Sequence, residues 1–134
     1  MDAFLKGLVS ALIFFASTSV VVFLSICVFD LITKYKVWEE IAKGNIAVAF
    51  SSGGIVLGVG NIMRFAIASN DSIYATLAWG GIGALLLLIV YLGFELFTPK
   101  LKVSEEISNG NKAVGFISFI FSLAFSFIIG ASIS

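Results

Sequence analysis

The sequence has no histidine, a single cysteine and few charged residues, eight basic and eight acidic among 134. Without histidine or clustered carboxylates, it lacks the usual ligand sets of zinc and haem sites. Cys27 has no partner for an intrachain disulfide, so a disulfide-stapled fold is excluded. The balanced charge gives no bulk attraction to nucleic acid. We therefore expect no metal, no cofactor and no nucleic-acid partner.

Motifs for catalysis are missing as well. The sequence has no phosphate-binding loop and no nucleophile elbow, and Gly58-Val59-Gly60 lacks both the preceding strand and the full spacing of a nucleotide loop. An enzyme needs a nucleophile or a general base within reach of its substrate. The pattern therefore indicates that the chain is not an enzyme.

Apolar residues are what the sequence has in abundance, at 60%, against 12% charged. Soluble domains usually have about 45–50% and about 25%. Four runs are long enough for helices that cross the roughly 30 Å of bilayer hydrocarbon, which takes about 20 residues, and none alternates as a barrel strand would. The sequence predicts an all-α integral membrane protein with four transmembrane helices. The runs cover residues 7–29, 46–63 (resuming after Arg64 through 68), 73–94 and 113–134.

The first run could be read as a signal peptide, because small residues follow Phe15 near a possible cleavage site. Asp2 lies beside Lys6 in the n-region, and the run is long for an h-region. We expect it to be a structural span.

The charges predict the orientation. Twelve of the sixteen charged residues, with six of the eight basic ones, lie in residues 30–45 and 95–112. The positive-inside bias places such segments in the cytoplasm. Both termini and the short turn at 69–72 are then expected outside.

Three segments of the first half return in the second half in the same order. Chance similarity between apolar segments would align leucine, isoleucine and valine, but not an acid, a Glu-Glu-Ile triplet and a Gly-Asn pair. The repeat signal is therefore strong. The matching segments are Phe29-Asp-Leu-Ile-Thr33 with Phe94-Glu-Leu-Phe-Thr98, Glu39-Glu40-Ile41 with Glu105-Glu106-Ile107, and Gly44-Asn45 with Gly110-Asn111.

The repeat defines one transmembrane domain, residues 1–134, with hairpin repeats at about 7–68 and about 73–134. Each repeat contains two spans, so both are expected to have the same orientation. They should be related by a pseudo-two-fold axis along the membrane normal, as in parallel-repeat transporters.

Each charged turn is predicted to hold a short amphipathic helix at the interface. Thr98-Pro99 is typical of a helix start. Gly44 and Gly110 suit the left-handed residue that ends such a helix. Asn45 and Asn111 can then cap the following span or line a site.

The paired pattern F-[DE]-L-x-T … EEI-x-x-GN-x-AV, in a four-span chain of this length, resembles the bacterial inner-membrane family of unknown function numbered 350. The resemblance covers essentially the whole chain. It implies a four-helix bacterial inner-membrane protein built from two repeats, and it implies no activity, substrate or catalytic residue.

Asp30 and Glu95 are the first candidate site residues, because each is an acid at the end of an apolar span. Acids near the hydrocarbon are costly unless paired or hydrated. One interpretation is an ion or proton site around the pseudo-axis. The alternative is a pair of interfacial anions bound to Lys34 and Lys100.

Further candidates lie within the spans. Asn61 and Arg64 could make a polar contact on the outer side, although an arginine that snorkels to the interface is the alternative. A set of glycines is predicted to allow close helix packing, with a pore or gate as the alternative. These are Gly53, Gly54 and Gly58 in the second span, and Gly80, Gly81 and Gly83 in the third.

Two functions remain open. The first is a small ion or solute channel or transporter that acts as a homo-oligomer, because four spans leave little room for an aqueous path. The second is a non-catalytic interaction or scaffold subunit, which binds a cytoplasmic protein partner or anionic lipid through its charged turns.

Overall fold

The computed structural model describes residues 2–134, which form six α-helices and no strand. Four of the helices are long and apolar enough to cross a membrane, so the predicted all-α fold with four transmembrane helices is confirmed. The two short helices lie in the charged turns, where short helices were expected. The helices are α1 (Ala3–Ile32), α2 (Val37–Ala42), α3 (Ile46–Ser69), α4 (Ile73–Phe97), α5 (Val103–Ser108) and α6 (Lys112–Ile133).

Side-chain caps mark where the long helices begin. The side chains of Asp2, Asn45, Ser72 and Asn111 accept hydrogen bonds from backbone N–H groups in the first turns of α1, α3, α4 and α6. These bonds satisfy donors that have no partner within the helix. Between each short helix and the next span, the chain turns at a glycine with positive φ, 87° at Gly44 and 85° at Gly110.

The expected helix start at Thr98-Pro99 is wrong. The Thr98 hydroxyl donates to the carbonyl of Phe94, and Pro99 lies in a turn that follows the end of α4. The turn is closed by hydrogen bonds from the N–H of Leu101 to the Thr98 oxygen (3.0 Å) and from the N–H of Lys102 to the Pro99 oxygen (3.3 Å). Proline here follows a helix instead of starting one, and α5 begins only at Val103.

The most extensive helix contact joins α3 to α6. Near their first turns, the rings of Phe50 and Phe116 are 5.6 Å apart between centroids. About two turns before their ends, the Asn61 amide donates to the Ser126 hydroxyl at 3.0 Å. Positions about 66 residues apart therefore meet at both places, so α3 and α6 run side by side in the same direction.

The other two long helices flank this pair. Helix α4 packs on both α3 and α6, and α1 packs on α3 and α4. Only four residues of α1 are buried: Thr18, Ser25, Ile26 and Phe29. Most of its large apolar side chains are exposed, as expected where lipid is the solvent. We call the end of the bundle that carries α2 and α5 the charged end, and the other the opposite end.

Candidate functional site

At the charged end, Asp30 joins α1 to α2. Its half-buried carboxylate accepts a hydrogen bond of 2.9 Å from the backbone N–H of Val37, the first residue of α2. A carboxylate that satisfies an unpaired N–H at a helix start stabilises that helix. Asp30 therefore holds α2 against the end of α1.

Glu95 has the equivalent position in the second hairpin. Its carboxylate accepts a hydrogen bond from the hydroxyl of Ser104, the second residue of α5. Each acid thus joins a long helix to the short helix of its own hairpin. Among residues 2–134, no hydrogen bond joins Asp30 to Glu95. A site shared by the two acids stays a prediction.

Asn45 ties the two hairpins together. While its side-chain oxygen caps α3 through the N–H of Val48 at 3.2 Å, its amide nitrogen donates to the carbonyls of Ile107 (3.2 Å) and Ser108 (3.0 Å). Both carbonyls lie at the end of α5, where carbonyls have no partner within the helix, and that of Ile107 also accepts from the N–H of Gly110 at 3.0 Å. Asn45 therefore satisfies one helix start and one helix end.

Asn111 makes the matching cap on α6 but a different second bond. Its oxygen accepts from the N–H groups of Ala113 and Val114, at 3.1 and 3.3 Å. Its amide nitrogen donates to the Glu106 carboxylate at 2.9 Å, within the same hairpin.

Both short helices bury their apolar side in the bundle. Val37 on α2, and Val103 and Ile107 on α5, are fully or almost fully buried. Charged side chains such as Glu39 and Glu105 are exposed on the other side. The charged end is therefore a fixed surface of two amphipathic helices.

A buried cluster of four hydroxyl groups lies just inside the charged end, and sequence reasoning missed it. The Tyr35 hydroxyl is 2.9 Å from that of Tyr91 and 3.2 Å from that of Ser51, and Ser51 is 3.3 Å from Ser118. All four residues are buried. One signal was available: Tyr35 is the only tyrosine in either charged turn.

The surroundings of Tyr35 favour its neutral form. Burial, and then the adjacent Tyr91, raise the pKa of Tyr35 above its usual value of 10.0, and Glu95 contributes in the same direction. Desolvation disfavours a phenolate, and a nearby carboxylate repels it. The cluster therefore works as a network of neutral hydroxyls.

Asn61 and Arg64 form a second polar group, towards the opposite end. The Asn61 amide donates to Ser126, and the Arg64 Nε donates to the Asn61 oxygen at 3.2 Å. The Arg64 guanidinium lies 4.3 Å from the centre of the Phe65 ring. Arg64 is exposed and lines a surface groove between α1 and α3, which is compatible with either interpretation of this residue.

The six glycines divide into two groups by their surroundings. A Cβ at Gly54 would lie 2.9 Å from the Cα of Phe119, and one at Gly58 or Gly83 would lie 2.6 Å from a leucine or isoleucine methyl. A Cβ at Gly80 would collide with Met63. A Cβ at Gly53 or Gly81 would meet nothing within 4 Å, so any packing role for these two would lie between chains.

A cleft of about 720 Å³ opens at the charged end beside α5. Two lysines and two glutamates line it, together with apolar side chains of α4 and α5. Lys102 has a left-handed backbone (φ 49°, ψ 57°), and no other non-glycine residue in 2–134 has a positive φ. Such a backbone costs a non-glycine residue about 1–2 kcal/mol. Its lining includes Lys34, Leu92, Glu95, Leu96, Lys102 and Glu105.

Comparison with known proteins gives one family. The model described as Domain of Unknown Function (DUF350) matches residues 3–133. The UPF0719 transmembrane protein YshE of Bacillus subtilis (strain 168) is 47% identical over 110 residues, 82% of each chain. The UPF0719 inner membrane protein YjfL of Escherichia coli (strain K12) is 35% identical over 106 residues, 79% of this chain and 77% of YjfL. No solved structure matches the chain significantly.

Proposed function

The chain belongs to the DUF350 family of transmembrane proteins, and from its geometry we propose that it is a non-catalytic interaction subunit. The charged end is its binding surface, and the ligand is a protein partner. We place it in the bacterial inner membrane with the charged end in the cytoplasm, because the lysines concentrate there.

The observation that carries this proposal is the fixed attachment of α2 and α5. Isolated helices of six residues are unstable in water. Here Asp30 binds the start of α2, Glu95 binds the start of α5, and Asn45 binds the end of α5. A surface held in place before binding loses little conformational entropy when a partner docks.

The packing of the bundle centre supports the same choice. The α3 and α6 backbones approach so closely at Gly54 that even a methyl group would collide. A hydrated ion is far larger than a methyl group and finds no room along this seam. The tight packing therefore favours a scaffold over an open channel within one chain.

Photocrosslinking in intact cells tests the binding surface. A photoreactive side chain at Glu39 or Glu105, which are exposed and equivalent in the repeat, should give the same discrete protein adduct. The matched control is Asp71, which is exposed at the opposite end and should give no such adduct. Asp30→Ala with Glu95→Ala, which removes the side-chain hydrogen bonds at the starts of both short helices, should weaken the adduct. Adducts that are equally strong from Asp71 would contradict the proposal.

Cysteine labelling tests the orientation. In a Cys27→Ala background, cysteines at Lys36 and Lys102 should resist an impermeant label added to intact cells, and one at Asp71 should react. The reverse pattern would invert the topology and place the binding surface outside.

Ion or proton transport is the second candidate, and the buried hydroxyl cluster favours it. Polar groups inside a membrane bundle often mark ion or proton pathways, and Ser122 and Ser126 continue the buried hydroxyls one and two turns beyond Ser118. Purified protein in liposomes should then dissipate a proton or potassium gradient, and Ser51→Ala should slow the flux. On the scaffold proposal, the flux equals that of empty liposomes.

We also propose that the protein is a homo-oligomer. The exposed apolar side of α1 and the open space beside Gly53 and Gly81 offer surfaces on which a second copy could pack. Cross-linking in native membranes should give a discrete multiple of the 14.3 kDa chain, and a monomer alone would contradict this.

A further inference from the structure

We propose that the cleft beside α5 binds the headgroup of a zwitterionic phospholipid with a primary ammonium group, of the phosphatidylethanolamine type. Lys34 and Lys102 contact the phosphate, and Glu95 and Glu105 contact the ammonium. This proposal does not rest on the function proposed above.

The charges that line the cleft come in equal numbers. Lys34 and Lys102 supply two positive groups, and Glu95 and Glu105 supply two negative ones. Among the described residues, no hydrogen bond joins either lysine to either glutamate; the bond to Glu95 comes from Ser104. A ligand that carries both signs of charge can satisfy both sets, since ammonium–carboxylate and lysine–phosphate contacts are strong charge-assisted hydrogen bonds.

The balance of charge decides between two kinds of lipid. An anionic headgroup would gain from both lysines but would be repelled by both carboxylates at short range. A zwitterionic headgroup offers a phosphate to the lysines and an ammonium to the glutamates. Charges of both signs in a cleft therefore select a zwitterion over an anion.

The apolar wall of the cleft continues into the surface of α4 that faces lipid. Leu92 and Leu96 line the cleft. Leu85 and Ile89, on the same helix face at spacings of three and four residues, are 59% and 60% exposed. Acyl chains can therefore lie along α4 while the headgroup occupies the cleft. This continuity favours a lipid over a soluble zwitterion.

The backbone of Lys102 supports a ligand-binding role. Glycine would adopt its left-handed conformation without strain, but the position carries a lysine that lines the cleft. Sparsely populated backbone conformations in non-glycine residues concentrate at functional sites. The strain is explained if the lysine side chain is needed at this place.

Native mass spectrometry of the purified full chain tests the proposal. The protein is titrated with phosphatidylethanolamine, phosphatidylglycerol and phosphatidylcholine of identical acyl chains. Phosphatidylethanolamine should bind best, since phosphatidylcholine has no N–H donors for the carboxylates and phosphatidylglycerol has no cation. Lys34→Gln with Lys102→Gln should weaken phosphatidylethanolamine binding at least about tenfold, since the loss of one charge-assisted hydrogen bond already accounts for about that factor.

The matched control is Lys36→Gln with Lys100→Gln. These lysines are exposed at the same end of the bundle but do not line the cleft, so this change should leave binding unaltered. Glu105→Lys should switch the preference from phosphatidylethanolamine to phosphatidylglycerol, a change that misfolding cannot produce. Equal binding of all three lipids, equal losses in the two lysine pairs, or no switch in Glu105→Lys would each overturn the proposal.

Discussion

The two hairpins share a sequence pattern, but their charged turns differ in how they pack against the rest of the bundle. In the first hairpin, Tyr35 extends from the turn into the bundle and is only 4% exposed. In the second hairpin, the corresponding residue is Leu101, which follows Tyr35 by 66 positions as Glu105 follows Glu39, and it is 39% exposed. The first turn is therefore anchored in the core, whereas the second borders an open cleft.

The backbone contacts of the two hairpins are alike where the repeat is strongest. An acid at the end of the first long helix binds the short helix in both. A glycine with positive φ and a capping asparagine follow in both. The repeated residues include those that satisfy the helix ends in both halves. The comparison teaches that the halves share their chain-turning chemistry and differ in the side chains available for a specific function.

The largest effect is expected where the hairpins meet. Gly54→Leu should prevent or severely weaken folding, because its Cβ would lie 2.9 Å from the Phe119 backbone and overpacking costs about 1–3 kcal/mol or more. Thermal unfolding in detergent measures this. Gly60→Leu, in the same helix with nothing within 4 Å of its added Cβ, is the matched control and should unfold within a few degrees of wild type. Equal losses would show that the seam does not depend on this approach.

Removing the Tyr35 hydroxyl, which joins the first charged turn to the bundle core, should have the next largest effect on stability. Tyr35→Phe keeps the ring but removes the hydroxyl that meets Tyr91 and Ser51. The loss should be about 1–2 kcal/mol, typical of a buried hydrogen bond whose partners stay behind. Tyr74→Phe, at a tyrosine that is 83% exposed, should change the free energy of unfolding by less than about 0.5 kcal/mol. Equal stability of the two variants would show that the Tyr35 hydroxyl does not stabilise the fold.

Alkaline pH should lower the free energy of unfolding through Tyr35. Burial raises the pKa of Tyr35 in the folded state above the ordinary 10.0. Its contribution to stability is therefore fully present below about pH 10 and is lost as the pH rises above that, by up to about 1.4 kcal/mol per pH unit. Unfolding measured from pH 9 to pH 11 should show a steeper decline in wild type than in Tyr35→Phe. Parallel curves would contradict a neutral, buried Tyr35.

The fold could be predicted from the sequence because its signals are local. The four spans follow from four charge-free runs of sufficient length. The chain turns follow from Gly44 and Gly110, because glycine favours the left-handed conformation that ends a helix. Thr98-Pro99 misled because proline suits both a helix start and the residues after a helix end. Only the Thr98 hydroxyl bond to Phe94 shows which applies.

The candidate site was harder to predict from the sequence than the fold, because its contacts join residues that are far apart in the chain. Tyr35 and Tyr91 are 56 residues apart, and Asn45 and Ser108 are 63 apart. No periodicity places such pairs together. Asp30 and Glu95 were found by residue type and position, but their hydrogen bonds depend on how α2 and α5 fold back.

The smallest effect on the free energy of unfolding is expected when Asp30 and Glu95 are replaced. Asp30→Ala and Glu95→Ala should each cost about 1 kcal/mol, as for a lost helix cap. Each acid binds within its own hairpin, so the double variant should equal the sum of the single variants within about 0.5 kcal/mol. Unfolding in detergent measures all three.

A shared ion or proton site predicts otherwise. If Asp30 and Glu95 act as a pair, removing one alters the environment of the other, and a coupling energy above about 0.5 kcal/mol appears in the cycle. The conservative changes Asp30→Asn and Glu95→Gln provide the control for function, because they remove the charge but keep a side-chain oxygen that can accept the bonds from Val37 and Ser104. If the Asn/Gln double variant folds normally and loses activity while the cycle shows strong coupling, the two hairpins share one site. Additive energies with unaltered partner binding would instead leave each acid as the anchor of its own helix.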